Sequence, residues 1–389
     1  MARLRYLTAG ESHGPGLVAI LEGLPAGLPV SVPAIADELG RRRQGYGRGP
    51  RMKIEKDALE ILSGVRSGRT LGSPVAVVIR NSEYDDKWAH VMPIEGEARG
   101  RELTRPRPGH ADLPGMLKYG FDDARNVLER ASARETAARS AVGALAKALL
   151  AQIGVEILSH VVRIGTAVVP EGTPPPGPGD LEAVDASPVR CLDSETSEEM
   201  TSVIDAAGSD GDSLGGVVEI LAYGVPAGLG SHVHWDRKLD GRLAGAIMSV
   251  PAIKGVEIGD GFALAERRGT VAHDEIEPGL TRATNRSGGT EGGMTTGDTL
   301  RVRAAMKPLS TLKRRLQTVD MANGAPAEAF QERTDVCAVP AAAVVCESVM
   351  ALVVADAVLE SFPADTITDL QAAVTRYRAR LTERGSPAE

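Results

Sequence analysis

The run Gly16-Leu-Val-Ala-Ile-Leu-Glu-Gly-Leu-Pro-Ala-Gly-Leu28 recurs as Gly216-Val-Val-Glu-Ile-Leu-Ala-Tyr-Gly-Val-Pro-Ala-Gly-Leu229, with one single-residue gap between the copies. Each copy is a β-rich run that stops at a Pro-Ala-Gly turn. A polar stretch with helical character follows each, over residues 35–43 and 236–248. The repetition predicts a pseudo-symmetric chain of two related βαβ-type halves, about 1–150 and 200–350, packed into one body that spans 1–389. Between and around them, β-rich spacing predicts strands over residues 4–7, 59–65, 75–79, 155–169, 300–305 and 336–339. A long helix is predicted over 123–152, with an apolar stripe that includes Val127, Leu128, Val142 and Leu145. A second, apolar helix runs from about 341 to 361. Residues 170–179, with five prolines, read as a surface loop. The tail, 379–389, is charged and predicted to fray.

Composition narrows the class. Aromatics are 3% of 389 residues, which argues against stacking platforms for single-stranded nucleic acid. The formal net charge is −8, so basic groups must act locally, in a pocket and not over an extended nucleic-acid surface. The three cysteines, Cys191, Cys337 and Cys346, have no CxxC or zinc spacing. So low and odd a number predicts a reducing, cytoplasmic setting. Residues 1–10 carry no apolar leader, and no run of about 18 apolar residues stands out, which predicts neither secretion nor a membrane partner.

Gly10-Glu11-Ser12-His13-Gly14 sets a hydroxyl beside an imidazole in a glycine-flanked turn. Arginines cluster at Arg41, Arg42, Arg43, Arg48 and Arg51, interleaved with Gly45, Gly47 and Gly49. Glycine admits close backbone approach to a ligand, and guanidinium offers a planar fork to phosphate or carboxylate. Such charge-assisted bonds contribute roughly 1.5–3 kcal/mol each, so a few could hold a trianion. A second basic run, Arg105-Pro-Arg-Pro-Gly-His110, is too stiff for a core strand. His13 and His110 are the candidate general acids, poised to charge when an anion binds. Arg130 and Arg134 share a helix face and could close on one anion, whereas Ser132 points away unless the helix breaks. His232 and His234 form an HxH pair with no third ligand in view, so a loop role is expected and no metal site. Asn285-Arg-Ser-Gly-Gly-Thr-Glu-Gly-Gly293 reads as a cradle for a phosphate or flat ring, or as a plain loop. Lys307-Pro-Leu-Ser-Thr311 adds a cation and hydroxyls, and Arg333-Thr-Asp335 places a guanidinium and a carboxylate two apart.

Seven of these segments, in order, resemble the chorismate synthase family: Gly10–Gly14, Arg42–Arg48, Arg105–Asp112, Ser132–Thr136, Asn285–Gly289, Lys307–Thr311 and Arg333–Asp335. The resemblance implies an α+β fold of the β-α-β sandwich type and a homotetramer. It implies a carbon–oxygen lyase of the shikimate pathway that eliminates phosphate from 5-enolpyruvylshikimate 3-phosphate, with reduced FMN required and no net redox change. On this resemblance Arg42, Arg48, Arg134 and Arg333 would grip the substrate's phosphate and carboxylates. His13, with Ser12 beside it, would protonate the leaving phosphate. His110 would face the flavin, and Asp335 would help remove the ring proton with Ser132 orienting it. FMN would sit on Arg130, Ala131, Ser132, Pro251, Ala252, Gly292, Lys307, Pro308, Leu309, Ser310, Thr311 and Arg333. Ala131 and Pro251 depart from a serine and an amide frequent in the family, which weakens the hold on FMN or moves it to the backbone. NADPH would enter only indirectly, through an external flavin reductase. A flavin-independent phosphate lyase or phosphotransferase on a small phosphorylated carboxylate is the alternative reading.

Overall fold

The computed structural model describes residues 4–49, 58–332 and 334–385. The first half runs β1 (Arg5–Ala9), β2 (Gly16–Glu22), α1 (Val32–Arg43), β3 (Ala58–Ser63), β4 (Val75–Arg80), α2 (Asp112–Tyr119), α3 (Arg125–Ala131) and α4 (Thr136–Ala151). The second runs β5 (Glu156–Ile164), β6 (Ala167–Val168), α5 (Ser194–Ser209), β7 (Gly216–Tyr223), α6 (Leu239–Met248), β8 (Ile253–Ile258), β9 (Leu300–Met306), α7 (Val339–Ser361) and α8 (Ile367–Gly385).

Two antiparallel sheets result, in the orders β1-β2-β4-β3 and β6-β5-β7-β9-β8. Strands β2 and β7 are the two copies of the repeat, and each lies second among the four corresponding strands. The same order, reached twice, is the pseudo-symmetry of the fold. Helix α4 packs on β2 and β4, α7 packs on β5 and β7, and the two helices lie against each other between the sheets. The architecture is therefore a β-α-β sandwich of α+β class.

Periodicity explains the layers. In β2, Leu17, Ala19 and Leu21 are buried while Ile20 and Glu22 are exposed, the alternation of a sheet with one covered face. Helix α7 is apolar all round and almost wholly buried. By length and composition it could cross a membrane, contrary to the expectation that no such run exists, yet it is the core helix of the sandwich. Its Glu347 is inaccessible to solvent and accepts from Arg41 on α1 (3.1 Å) and Lys147 on α4 (3.4 Å), so three helices are tied at one buried charge.

Four expectations need correction. The helix over 123–152 is two helices, because Ser132 adopts extended backbone (φ −62°, ψ 141°) between α3 and a short 3₁₀ turn. Residues 336–339 form no strand: Cys337 makes an isolated bridge to Leu214, and Val339 already opens α7 with Pro340 in its first turn. The second repeat helix begins at Leu239, after a 3₁₀ turn over Trp235–Arg237. The tail does not fray at 379: α8 continues to Gly385, and residues 386–389 lie outside the described residues.

Candidate active site

The break at Ser132 builds one wall of a cavity. Ser132 Oγ accepts from the Arg134 N–H (3.3 Å), capping the 3₁₀ turn, and donates to Ser12 Oγ (3.2 Å). A continuous helix would have pointed Ser132 away. The break also separates the two arginines expected to share a face. Arg134 is buried and lines the cavity, whereas Arg130 turns out and donates to the Thr8 (2.9 Å) and Gly10 (3.2 Å) carbonyls.

The cavity holds about 560 Å³ and draws on segments from the whole length of the chain. Ser12, His13, Arg42, Arg48, His110, Ala131, Ser132, Arg134, Pro251, Ala252, Lys307, Pro308, Leu309, Ser310, Thr311 and Asp335 all line it. Arg130 and Gly292 do not. Gly292 sits in a tight hairpin between Thr290–Glu291 and Met294–Thr295, and Arg333 and Arg51 lie outside the described residues. The Asn285–Gly293 run does not cradle the cavity. Its backbone instead wraps Asp274, which accepts from Arg286 N–H (2.8 Å) and Ser287 N–H (2.9 Å). His232 and His234 lie in a loop away from the cavity, and no cluster suited to a metal occurs among the described residues.

The glycines of the arginine loop serve a purpose other than the one expected. Gly45 lies against Pro340 and Gly47 against Cys337, where a Cβ would crowd both. Gly49 donates its N–H to Asp335 Oδ1 (2.6 Å), and Arg48 pairs with Oδ2 (3.0 Å). Close backbone approach is thus to the protein's own chain, and it clamps Arg48 and Asp335 together at the start of α7. Arg42, on the last turn of α1, reaches Thr136 Oγ1 (3.4 Å) at the start of α4.

Both histidines face buried carboxylates. His13 Nδ1 lies 2.9 and 3.0 Å from the two Glu129 oxygens, and its ring stacks on Trp88 with centroids 3.6 Å apart. His110 Nδ1 bonds Asp112 Oδ1, while Arg107 Nε donates to Asp112 Oδ2 (2.8 Å) and Arg107 Nη2 lies 3.1 Å from the same imidazole nitrogen. Burial alone would raise the Asp112 carboxyl, but bonds from His110 and Arg107 outweigh it and hold it at about 2. A lowered folded value gives stability that is present above the ordinary 3.8 and is lost as pH falls from there toward 2. Asp112→Asn should therefore cost about 2 kcal/mol near neutrality, with the gap from wild type narrowing near pH 3. Denaturant titrations at both pH values read this; a constant gap would assign the cost to packing instead.

Asp112 carried a signal in the sequence, two residues after a basic histidine run. Glu129 carried none, since it meets His13 across 116 positions. Nor did Trp88 or the cavity-lining Lys254 and Glu332.

Cationic walls and two carboxylate-backed imidazoles gathered at one pocket within a β-α-β sandwich define an enzyme for a small polyanion. Comparison with known proteins agrees. The chorismate synthase family matches residues 4–359. Chorismate synthase of Streptomyces coelicolor is 60% identical over 393 residues, covering 98% of this chain and 99% of that protein. That of Thermobifida fusca is 60% identical over 378 residues, covering 94% and 96%. A crystal structure of chorismate synthase superposes with a TM-score of 0.79 at 43% identity, covering 98% of this chain and all of that one. The chain belongs to the chorismate synthase family.

Proposed function

We propose that this chain eliminates phosphate from 5-enolpyruvylshikimate 3-phosphate to give chorismate, a carbon–oxygen lyase step of the shikimate pathway. The observation that carries the reading is the meeting of His13, His110, Arg42, Arg48, Arg134 and Asp335 in one cavity from five separate stretches of chain. Arg42, Arg48 and Arg134, with Arg333, grip the phosphate and carboxylates. His13, beside Ser12, gives a proton to the departing phosphate, and Asp335, clamped by Arg48 and Gly49, assists removal of the ring proton, with Ser132 helping to orient it.

Reduced FMN fits the same cavity. Ala131, Ala133, Ala338, Ala341, Ala342 and Val345 give it a low, apolar lining suited to a flat ring system. Ala252, held at φ +68° where side chains are rarely tolerated, lines the cavity and accepts from Lys307 N–H (2.9 Å). Ala131, Ser132, Pro251, Ala252 and Lys307–Thr311 would hold it, and His110 would face it. When bound, reduced FMN supplies electron density to the reacting ring without net redox change. Arg130 and Gly292, which do not line the cavity, are left out of this set.

Three further parts of the reading follow. The enzyme is a cytoplasmic homotetramer, supported by three buried thiols and by an apolar outer face on the first sheet, where Leu7 is 74% exposed opposite Ile20 at 41%. Sedimentation of the purified protein reads its assembly directly. The reduced cofactor is borrowed from an external reductase, with NADPH entering only there.

The deciding experiment is anaerobic: purified protein, substrate and chemically reduced FMN, with chorismate absorbance and phosphate followed together. Both products should appear only with reduced flavin. Phosphate release without flavin would favour the flavin-independent lyase, and no release at all would overturn both readings.

A further inference from the structure

We propose that Glu129 is the positioning residue for His13: it fixes the imidazole proton on Nδ1 and so leaves Nε2 as the nitrogen that exchanges a proton in the cavity. This rests on the reading of His13 as the acid. The last turn of α3 is stitched to the Gly10–Gly14 loop by three kinds of bond. Ser12 N–H donates to the Glu129 carbonyl (2.9 Å), His13 N–H donates to Oε2 (2.9 Å), and His13 Nδ1 meets both carboxylate oxygens. Backbone and ring are thus referenced to one side chain, which is itself 2% exposed.

An ionised carboxylate can only accept, so a bond at this distance requires the proton on Nδ1. Burial alone would raise the Glu129 carboxyl, but bonds from His13 and the nearby Arg125 charge lower it below its ordinary value, so it is ionised near neutrality. Arg125, one turn away on α3, donates to Oε1 (3.0 Å) and limits how much negative charge the ring feels. Trp88 closes one face of the ring and holds its plane. Glu11 stands in the same loop as His13, and Arg48, Arg134, His110 and Asp335 are among the other charged groups that line the cavity. His110 is arranged differently, since Arg107 approaches its Nδ1 together with Asp112 and the carboxylate is shared. The tautomer is fixed most simply at His13.

The test reads tautomer and rate separately. In ¹⁵N spectra of the full chain at about pH 8, where an imidazole is ordinarily neutral, the His13 signals are those missing from His13→Ala. Wild type should show Nδ1 protonated and Nε2 bare. Glu129→Gln should show mixed tautomers and a kcat lower by roughly 10–100-fold, with KM within about threefold, because the arginines still hold the substrate. Glu129→Asp, which keeps the charge, should recover part of the rate. Nε2 protonated with Nδ1 bare in wild type overturns the proposal without any variant, as does a Glu129→Gln enzyme with unchanged tautomer and rate. Near-normal turnover by His13→Ala would instead sink the acid reading itself, leaving the tautomer result to stand alone.

Discussion

Replacing His13 by alanine should lower kcat by about 10²–10⁴-fold, the usual contribution of a positioned general acid, and change KM little. Phosphate is a poor leaving group unless its charge is neutralised as the bond breaks, and on the proposed reading His13, which lines the cavity with Ser12, supplies that proton from Nε2. On the same reading substrate affinity rests on Arg42, Arg48 and Arg134, which the substitution leaves in place. The loss therefore falls on the transition state and not on ground-state binding. The fold should survive, because Glu129 keeps Arg125 and is not left as a lone buried charge. Anaerobic turnover with reduced FMN, together with a denaturation curve for the variant, separates the two effects. A folded His13→Ala enzyme within a few-fold of wild type would remove His13 from the acid role. A large rise in KM with kcat unchanged would make it a binding group.

How much of this was legible in the sequence depends on distance along the chain. The repeat at Gly16 and Gly216 announced two like strands, and these lie in like places in the two sheets because periodicity is a local property of a strand. That arginines and histidines would gather at a cavity was legible too, since arginine and histidine on glycine- and proline-rich loops are poor core material. What failed was geometry. Ser132 looked misplaced on a helix because the break that turns it inward depends on its own capping bond and on Ser12, 120 positions away. Arg130 and Arg134 were paired by helical spacing, and the same break parted them. The glycines at 45, 47 and 49 announced close approach but not to what, since Pro340, Cys337 and Asp335 meet them only in the folded chain. Helix α7 was legible as an apolar helix but not as a run long enough to cross a membrane, because Glu347 and Asp356 interrupt it, yet both are neutralised by partners on other helices.

The repeat itself makes the second large prediction, through its opening glycines. Gly216→Ala should cost at least about 3 kcal/mol, toward or beyond the upper end of overpacking penalties. Where a Cβ would stand, the Arg163 carbonyl oxygen on β5 already occupies the space, and Val339 of α7 lies behind it. Both obstacles are anchored: Arg163 sits in the β5–β7 ladder and Val339 begins the core helix, so neither can give way as a flexible side chain could. Gly16, the pseudo-symmetric counterpart, meets the same kind of obstacle less severely, with the Ile79 carbonyl oxygen of β4 2.8 Å from the Cβ position. Gly16→Ala should therefore lose less, about 1–2 kcal/mol on the same scale. Gly40, inside α1, has nothing within 4 Å of its Cβ position, and Gly40→Ala should gain about 0.5–1 kcal/mol from helix propensity alone. Denaturant titration of the three variants tests an ordering that side-chain chemistry, identical in all three, cannot produce. If Gly216→Ala matched Gly40→Ala in stability, glycine at the start of the repeat would owe nothing to the neighbouring strand. The shared sequence would then have to be explained by something other than the packing it repeats.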